Sequence, residues 1–286
     1  MSGLCGWVGT ADPSVLDGML AAIDYRGDRC ETALLDGAAL GYRWWGGRPG
    51  KSPGIFREGC HAVACAGTLA PSVPSPAAAL MGMVQSGLET LDGAFAGAWW
   101  DADRHTLTLI RDPFGVRSLY YVEHGGILYF ASELKQLLTI PTLPIDVDPV
   151  ALHKYLTFSF VPGEDVPVRG VKRLLPGTVA TWRAGQMTLV RYVTLREDID
   201  PALEDPKAAH RAIRPICQAA VTRRLVGETE VGLYLSGGLD SSAVALWLKD
   251  AGVKVRAFSL DFGERSVERE QAEIVARTGP SSTPGP

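Results

Sequence analysis

Apolar and polar positions alternate along most of the first two thirds of the chain, with the period of two expected of half-buried strands. Leu4-Cys-Gly-Trp-Val-Gly9 opens a short strand. The stretches 91–101, 107–121 and 127–135 read as strands of β-hairpins, with turns at Asp101-Ala-Asp-Arg104 and His124-Gly-Gly126. Val179 to Tyr192 reads as a last hairpin turning at Arg183-Ala-Gly-Gln186. Helical periodicity interrupts this pattern over Ser14 to Ile23 and again over Val150 to Leu156, where Asp146-Val-Asp-Pro149 supplies a helix start. The Pro/Ser/Ala-rich stretch Ala70 to Ala79 reads as loop.

Beyond residue 195 the pattern changes. An acidic, Pro-containing linker spans 196–207, and a helix is expected over Ala208 to Leu225 with Arg211, Arg214, Arg223 and Arg224 on its solvated side. A strand (Val231 to Leu235), a helix (Ser241 to Lys249), a second strand (Val253 to Asp261) and a helix led by Glu268-Arg-Glu270 (Gln271 to Arg277) follow. Hairpins followed by strand–helix alternation describe an α+β domain over 1–195 and an α/β domain over 208–279. The tail, 280–286, is rich in Pro, Gly, Ser and Thr and reads as disordered.

Composition narrows the partners. A net charge of −4 among 286 residues gives no electrostatic reason for a nucleic-acid partner. No apolar run approaches a membrane span, and the N-terminus lacks the layout of a signal peptide, so a cytoplasmic protein is expected. Five cysteines (Cys5, Cys30, Cys60, Cys65 and Cys217) at irregular spacing fit neither a disulfide framework nor a paired zinc motif. Cys60 and Cys65 flank His61, but no second pair exists, and ordinary buried thiols are expected there.

One stretch specifies a chemistry. Between the strand ending at Leu235 and the next helix lies Ser236-Gly-Gly-Leu-Asp-Ser-Ser242. Gly237 and Gly238 let backbone N–H groups approach a charged oxygen, and the helix points its positive N-terminus at the same place. Ser236, Ser241 and Ser242 add hydroxyl donors. Asp240 would repel a phosphate unless Mg²⁺ lay between them, which makes it the metal-side ligand. The loop has neither lysine nor the spacing of the common phosphate-binding loop, which argues against cleavage at a γ-phosphate.

This seven-residue loop resembles the pyrophosphate loop of the ATP pyrophosphatases, and in this spelling it is similar to the asparagine synthetase family. The resemblance covers roughly residues 4 to 279. It implies an N-terminal-nucleophile αββα sandwich of antiparallel sheets, a glutamine amidotransferase-like domain. An incomplete parallel-sheet nucleotide-binding domain follows, with ATP and Mg²⁺ as cofactors and the backbone at Leu235 and Leu260 lining the adenine pocket. In that family an N-terminal cysteine attacks the glutamine amide with its own α-amine as base. Cys5 takes that role only as the mature N-terminus, and Leu4, in the place of the family's initiator Met, is then the expected start.

Tyr25-Arg-Gly-Asp28 resembles the family's His-Arg-Gly-Pro-Asp turn. Elsewhere the glutamine site departs from the pattern. Trp44 stands in the register of the arginine that holds the glutamine carboxylate, with Arg43 one position away on the other strand face. Ala66 replaces the asparagine of the oxyanion hole, and Thr68 replaces the glutamate that grips the substrate amine. Losing one oxyanion donor typically costs about a hundred- to a thousand-fold in rate, so glutamine hydrolysis is expected to be weak or absent. Arg111, Asp112 and Arg117 are expected to form a structural ion-pair and turn cluster.

The resemblance implies a ligase that activates a carboxylate, aspartate or a related acid, as its AMP ester and then forms an amide with ammonia or an amine. The altered glutamine site shifts weight toward relatives such as β-lactam synthetases or peptide-cyclising enzymes. Family members continue well beyond this length, so a truncated synthetase domain is expected, from a frameshift, a split gene or a shortened regulatory protein. Its unfinished sheet would expose Leu233, Leu235, Val255 and Phe258. A homodimer, or a separate chain supplying the missing half, is then a possible partner. The alternative function is a non-catalytic nucleotide-binding or subunit-interaction protein.

Overall fold

The computed structural model of the chain describes residues 2–47, 54–70, 73, 75–87, 92–194, 196–225, 227–260 and 267–278. The expected tail and Asp261, the expected end of the last strand, lie outside the described residues. The chain divides into two compact units, Met1–Leu195 and Arg196–Pro286.

In the first unit the order is β1 (Gly3–Val8), α1 (Ser14–Ala21), β2 (Arg29–Leu35), β3 (Ala38–Trp44), β4 (Ile55–Glu58), β5 (His61–Ala70), α2 (Pro76–Ser86), β6 (Asp92–Asp101) and β7 (Thr106–Arg111). The chain continues through β8 (Tyr120–His124), β9 (Ile127–Ala131), the single turn α3 (Leu134–Leu137), α4 (Pro149–Phe158), β10 (Lys172–Arg173), β11 (Thr178–Arg183) and β12 (Gln186–Arg191). Two six-stranded sheets result, in the orders β10-β8-β9-β1-β3-β2 and β12-β11-β7-β6-β5-β4, and the neighbouring strands pair antiparallel.

The alternation read in the sequence sorts side chains between layers. Leu4 and Val8 of β1 join Leu40, Ala62, Ala64, Ala66, Ala96, Ala98, Trp100 and Phe130 in one core between the sheets. Cys5 and Trp7, one residue out of phase, join Leu16, Met19, Leu20 and Leu137 under α1 and α3. Val63, Cys65 and Phe95 of the second sheet face Leu80 and Met81 of α2. This is the four-layer αββα sandwich.

Three boundaries differ from the sequence expectation. Pro76 to Ala79 open α2 rather than a loop, because the Ser75 hydroxyl accepts from the Ala78 N–H and Pro76 occupies the first turn, where its missing N–H costs nothing. Strand β7 stops at Arg111, after which the chain crosses to the other sheet through residues 112–119. Leu134 and Lys135 turn into α3 instead of extending β9.

The second unit contains α5 (Pro206–Leu225), β13 (Glu230–Tyr234), α6 (Leu239–Asp250), β14 (Lys254–Phe258) and α7 (Val267–Thr278). Strands β13 and β14 pair parallel in register, Tyr234 opposite Phe258. The expected linker already carries helix: Pro201–Leu203 forms a 3₁₀ turn and α5 begins at Pro206. The four α5 arginines are exposed as expected, and Arg214 lies 3.7 Å from Asp250 of α6.

Of the four residues expected to be exposed on the unfinished sheet, Phe258 is exposed, Leu233 is half-buried, and Leu235 and Val255 are buried. Leu235 and Val255 are 3% and 8% exposed, because they and Leu233 share the sheet face on which Ala245 and Ala272 pack. The opposite face carries Tyr234 and Phe258, 81% and 54% exposed, with ring centroids 6.3 Å apart.

Candidate functional site

The nucleotide-type loop has the geometry its residues dictate. Gly237 sits at φ 76°, in the left-handed region that costs glycine nothing. Space requires glycine there as well, since a Cβ would lie 2.6 Å from the Ala272 backbone nitrogen of α7. The Ser236 hydroxyl accepts from the Gly238 N–H at 3.3 Å and lies 3.2 Å from the Ser241 hydroxyl. Gly238, the N-cap of α6, offers no side chain, so the first-turn amides of α6 face outward uncapped.

Ser242 adds a further observation. Its Oγ is buried and has no hydrogen-bond partner among the described residues. A buried hydroxyl without a partner forfeits roughly 1–3 kcal/mol, a deficit that an anionic oxygen at the helix N-terminus removes. Asp240 stands exposed in the same first turn. Donors from the backbone and three serines, with the exposed Asp240 carboxylate beside them, fit a phosphate chain and its divalent cation. The expected residues 236–238 and 240–242 are therefore brought together.

The two leucines are placed differently. The Leu235 N–H donates to the Phe258 carbonyl at 2.8 Å, and its carbonyl accepts from the Ser259 hydroxyl at 2.6 Å. Leu260 is exposed just past β14.

In the first unit Cys5 lies inside β1, opposite Gly41 of β3 and Ala131 of β9. Its thiol is completely buried. Burial pushes its ionisation well above the ordinary thiol range, and a hydrogen bond with the Gln136 side chain opposes this in part. Gly41 leaves room for it, since a Cβ there would come within 3.1 Å of the Cys5 sulfur. Arg43 shares that strand face by alternation, whereas Trp44 packs toward the core between the sheets. Ala66 lies in that inter-sheet core, and Thr68 is half-buried. No amide donor from a side chain stands at position 66.

Arg111 and Asp112 serve the backbone rather than each other. The guanidinium of Arg111 donates to the carbonyls of Arg117, Leu174 and Gly115. Asp112, fully buried, accepts from the amides of Phe114, Val116 and Arg117. The expected ion pair is thus a backbone clamp on the segment that crosses between sheets. Arg117 enters the clamp through its backbone, while its side-chain Nε is buried without a partner among the described residues, and burial together with nearby Arg26 lowers its pKa.

The Tyr25–Asp28 turn is likewise structural. Arg26 pairs with Glu133 and donates to the Ser2 carbonyl, and Asp28 accepts from the Gly46 N–H. A Cβ on Gly27 would lie 2.0 Å from the Trp44 carbonyl, which explains that glycine.

Of the five cysteines, Cys5 and Cys65 are buried and Cys30 and Cys60 are exposed, so the buried thiol expected at both Cys60 and Cys65 is found at Cys65 alone. Cys65 points from β5 toward α2. Cys60 instead lies beside His61 and Asp103, a neighbour that no sequence spacing announces.

Residues 77–193 match the model of the glutamine amidotransferase domain family, and residues 212–281 match that of asparagine synthase. The chain is 32% identical over 176 residues to asparagine synthetase [glutamine-hydrolyzing] 1 of Bacillus subtilis, covering 61% of this chain and 27% of that protein. It is 35% identical over 164 residues to a putative asparagine synthetase [glutamine-hydrolyzing] of Mycobacterium bovis, covering 55% of this chain and 25% of that protein. The chain thus spans about a quarter of the length of these curated relatives. A solved structure, the allosteric regulatory enzyme of purine biosynthesis, superposes with a TM-score of 0.50 at 15% identity, covering 94% of this chain and 69% of that one.

Proposed function

We propose, on the family resemblance of both units to asparagine synthetases, that the second unit supplies the ATP-binding part of a carboxylate-activating C–N ligase. The observation that carries this reading is the 236–242 loop, with Gly237 left-handed and the Ser242 hydroxyl buried without a partner among the described residues. In the reaction, a carboxylate oxygen of the acid substrate, aspartate or a relative, attacks the α-phosphorus. The bond to pyrophosphate breaks, and ammonia or an amine then displaces AMP from the acyl carbon.

The residues of this chain act on charge. Amides at the start of α6 and the hydroxyls of Ser236, Ser241 and Ser242 hold the pyrophosphate oxygens, where negative charge builds up as the bond breaks. Asp240 positions Mg²⁺, which when bound neutralises phosphate charge. The acid site and its amine acceptor are proposed to complete the reaction with sequence outside the described residues, in the same polypeptide or another.

The first unit is proposed to retain the amidotransferase scaffold with weak or no glutamine hydrolysis. Ala66, Thr68 and Trp44 support this, since none supplies the donor or charge that the family pattern has there. The cytoplasm is the proposed setting, in keeping with five free cysteines. A second reading, a nucleotide-binding or subunit-interaction protein without turnover, draws its support from the bare Tyr234 and Phe258 face.

ATP–pyrophosphate exchange and MgATP titration of the full chain separate these readings. The ligase reading expects MgATP to protect the amides of 236–242 from hydrogen exchange, and D240A to abolish both protection and acid-dependent exchange of pyrophosphate. Binding without exchange, even with the rest of a family synthetase domain supplied, favours the second reading. A loop indifferent to MgATP overturns the ligase reading and nucleotide binding alike, and leaves only subunit interaction.

A further inference from the structure

Two hairpin turns of the second sheet meet at one end, the β4–β5 turn carrying Cys60 and His61 and the β6–β7 turn carrying Asp103. The Cys60 sulfur, an imidazole nitrogen of His61 and a carboxylate oxygen of Asp103 all lie within 4.8 Å of one another. Behind them His61 is held from the side away from solvent. Its Nδ1 lies 3.4 Å from the Asp101 carboxylate, a group only 5% exposed. The Ala102 N–H donates to Nδ1 at 3.3 Å, so this nitrogen is the acceptor as the site stands. Its Nε2 faces Asp103 at 3.5 Å.

We propose that Cys60, His61 and Asp103 form a binding site for a borderline-soft divalent cation of the zinc type, with Asp101 orienting the imidazole and the fourth position open to water. One sulfur, one imidazole and one carboxylate are the ligand types such a cation selects, whereas magnesium and calcium favour oxygen alone. Bond lengths of about 2.0–2.3 Å place tetrahedral ligand atoms roughly 3.5 Å apart. Closing from 4.8 Å needs only side-chain rotation of Cys60 and Asp103, both exposed.

The proton balance follows from the partners of His61. Coordination through Nε2 leaves the imidazole proton on Nδ1, which then exchanges the hydrogen bond it accepts from the Ala102 N–H for one it donates to the buried Asp101 carboxylate, the arrangement that fixes metal-bound histidines generally. Asp101 is already anchored by Arg104, whose Nη1 lies 2.9 Å away and whose N–H also donates to it. The Cys60 thiol loses its proton to solvent as the sulfur–metal bond forms. The loaded site cross-links the two turns. It uses no group of the nucleotide loop and none of the altered glutamine site, so its standing is independent of the proposed ligase activity.

Cobalt(II) is the probe, because a thiolate ligand gives it a charge-transfer band in the near ultraviolet. The metal-free full chain titrated with Co²⁺ is expected to develop that band to one equivalent, and added Zn²⁺ to erase it. C60S abolishes the band, while H61Q and D103N weaken binding at least tenfold. D101N, which leaves the ligands in place, weakens binding about ten- to a hundredfold while keeping the visible tetrahedral spectrum. C30S, at the other exposed thiol, leaves the titration unchanged, and circular dichroism of each variant checks the fold. No band at stoichiometric Co²⁺, or a band of undiminished intensity in folded C60S, overturns the proposal.

Discussion

Single residues in this protein are read by what surrounds them. Cys5 and Cys60 are the same side chain with opposite chemistry, one sealed under α1 and α3 in the middle of β1, the other exposed on a turn. Only the thiolate reacts with an alkylating agent, and burial disfavours it while also barring access. Iodoacetamide at pH 8 is therefore expected to label Cys30 and Cys60 within minutes in the folded chain. Cys5 and Cys65 should stay unlabelled until denaturant is added, which peptide mass mapping reads directly. Rapid labelling of Cys5 in native protein would contradict its placement inside β1.

Secondary-structure elements are tied to each other by a few polar groups whose partners lie far away in sequence. Asp165 is held by Lys154 of α4 and Lys172 of β10, with nitrogen–oxygen distances of 2.9 and 2.8 Å. Those hydrogen bonds, foremost from Lys172, lower the Asp165 pKa from the ordinary 3.8 to about 2. A carboxylate whose folded pKa is depressed stabilises the fold above its unfolded pKa, and the contribution disappears as pH falls through the folded value. The D165N variant is thus expected to lose stability relative to the parent above about pH 4 and to converge with it toward pH 2. The group is largely solvated, so screening holds the difference to about 0.5–1 kcal/mol. Urea midpoints of the first unit between pH 2 and 6 measure it, and a pH-independent difference would sink the assignment.

At the scale of the whole molecule the two units differ in how completely they cover their sheets. In the first, the sheets pack on each other and carry α1 and α3, or α2, on their outer faces, with Leu34 of β2 and the edge strand β12 left exposed. In the second, one face of the β13–β14 pair leaves Tyr234 and Phe258 bare, although parallel sheets are ordinarily buried on both sides. Exposed apolar surface also lies on α4, at Leu156 and Phe158. Anilinonaphthalene sulfonate is expected to fluoresce on the native chain. The double variant Y234S/F258S should reduce that signal without abolishing it, because the α4 surface remains. An unchanged signal would place the dye elsewhere and remove the case for a bare face.

The sequence by itself determined which residues alternate, where the glycine-rich loop meets its helix, and that the chain joins an antiparallel domain to a strand–helix one. These are local properties: side-chain periodicity is set by backbone geometry, and the Ser236–Ser242 loop needs only its own glycines and hydroxyls in order to be read. Tertiary structure alone decided the rest. It put Asp103 beside Cys60 across two turns, made Asp112 a clamp for backbone amides instead of an ion-pair partner, and buried Leu235 while leaving Tyr234 open. The reason is that a partner brought close by folding leaves no trace in spacing. Which of two strand faces is covered depends on helices packed from elsewhere in the chain, and no single stretch encodes that.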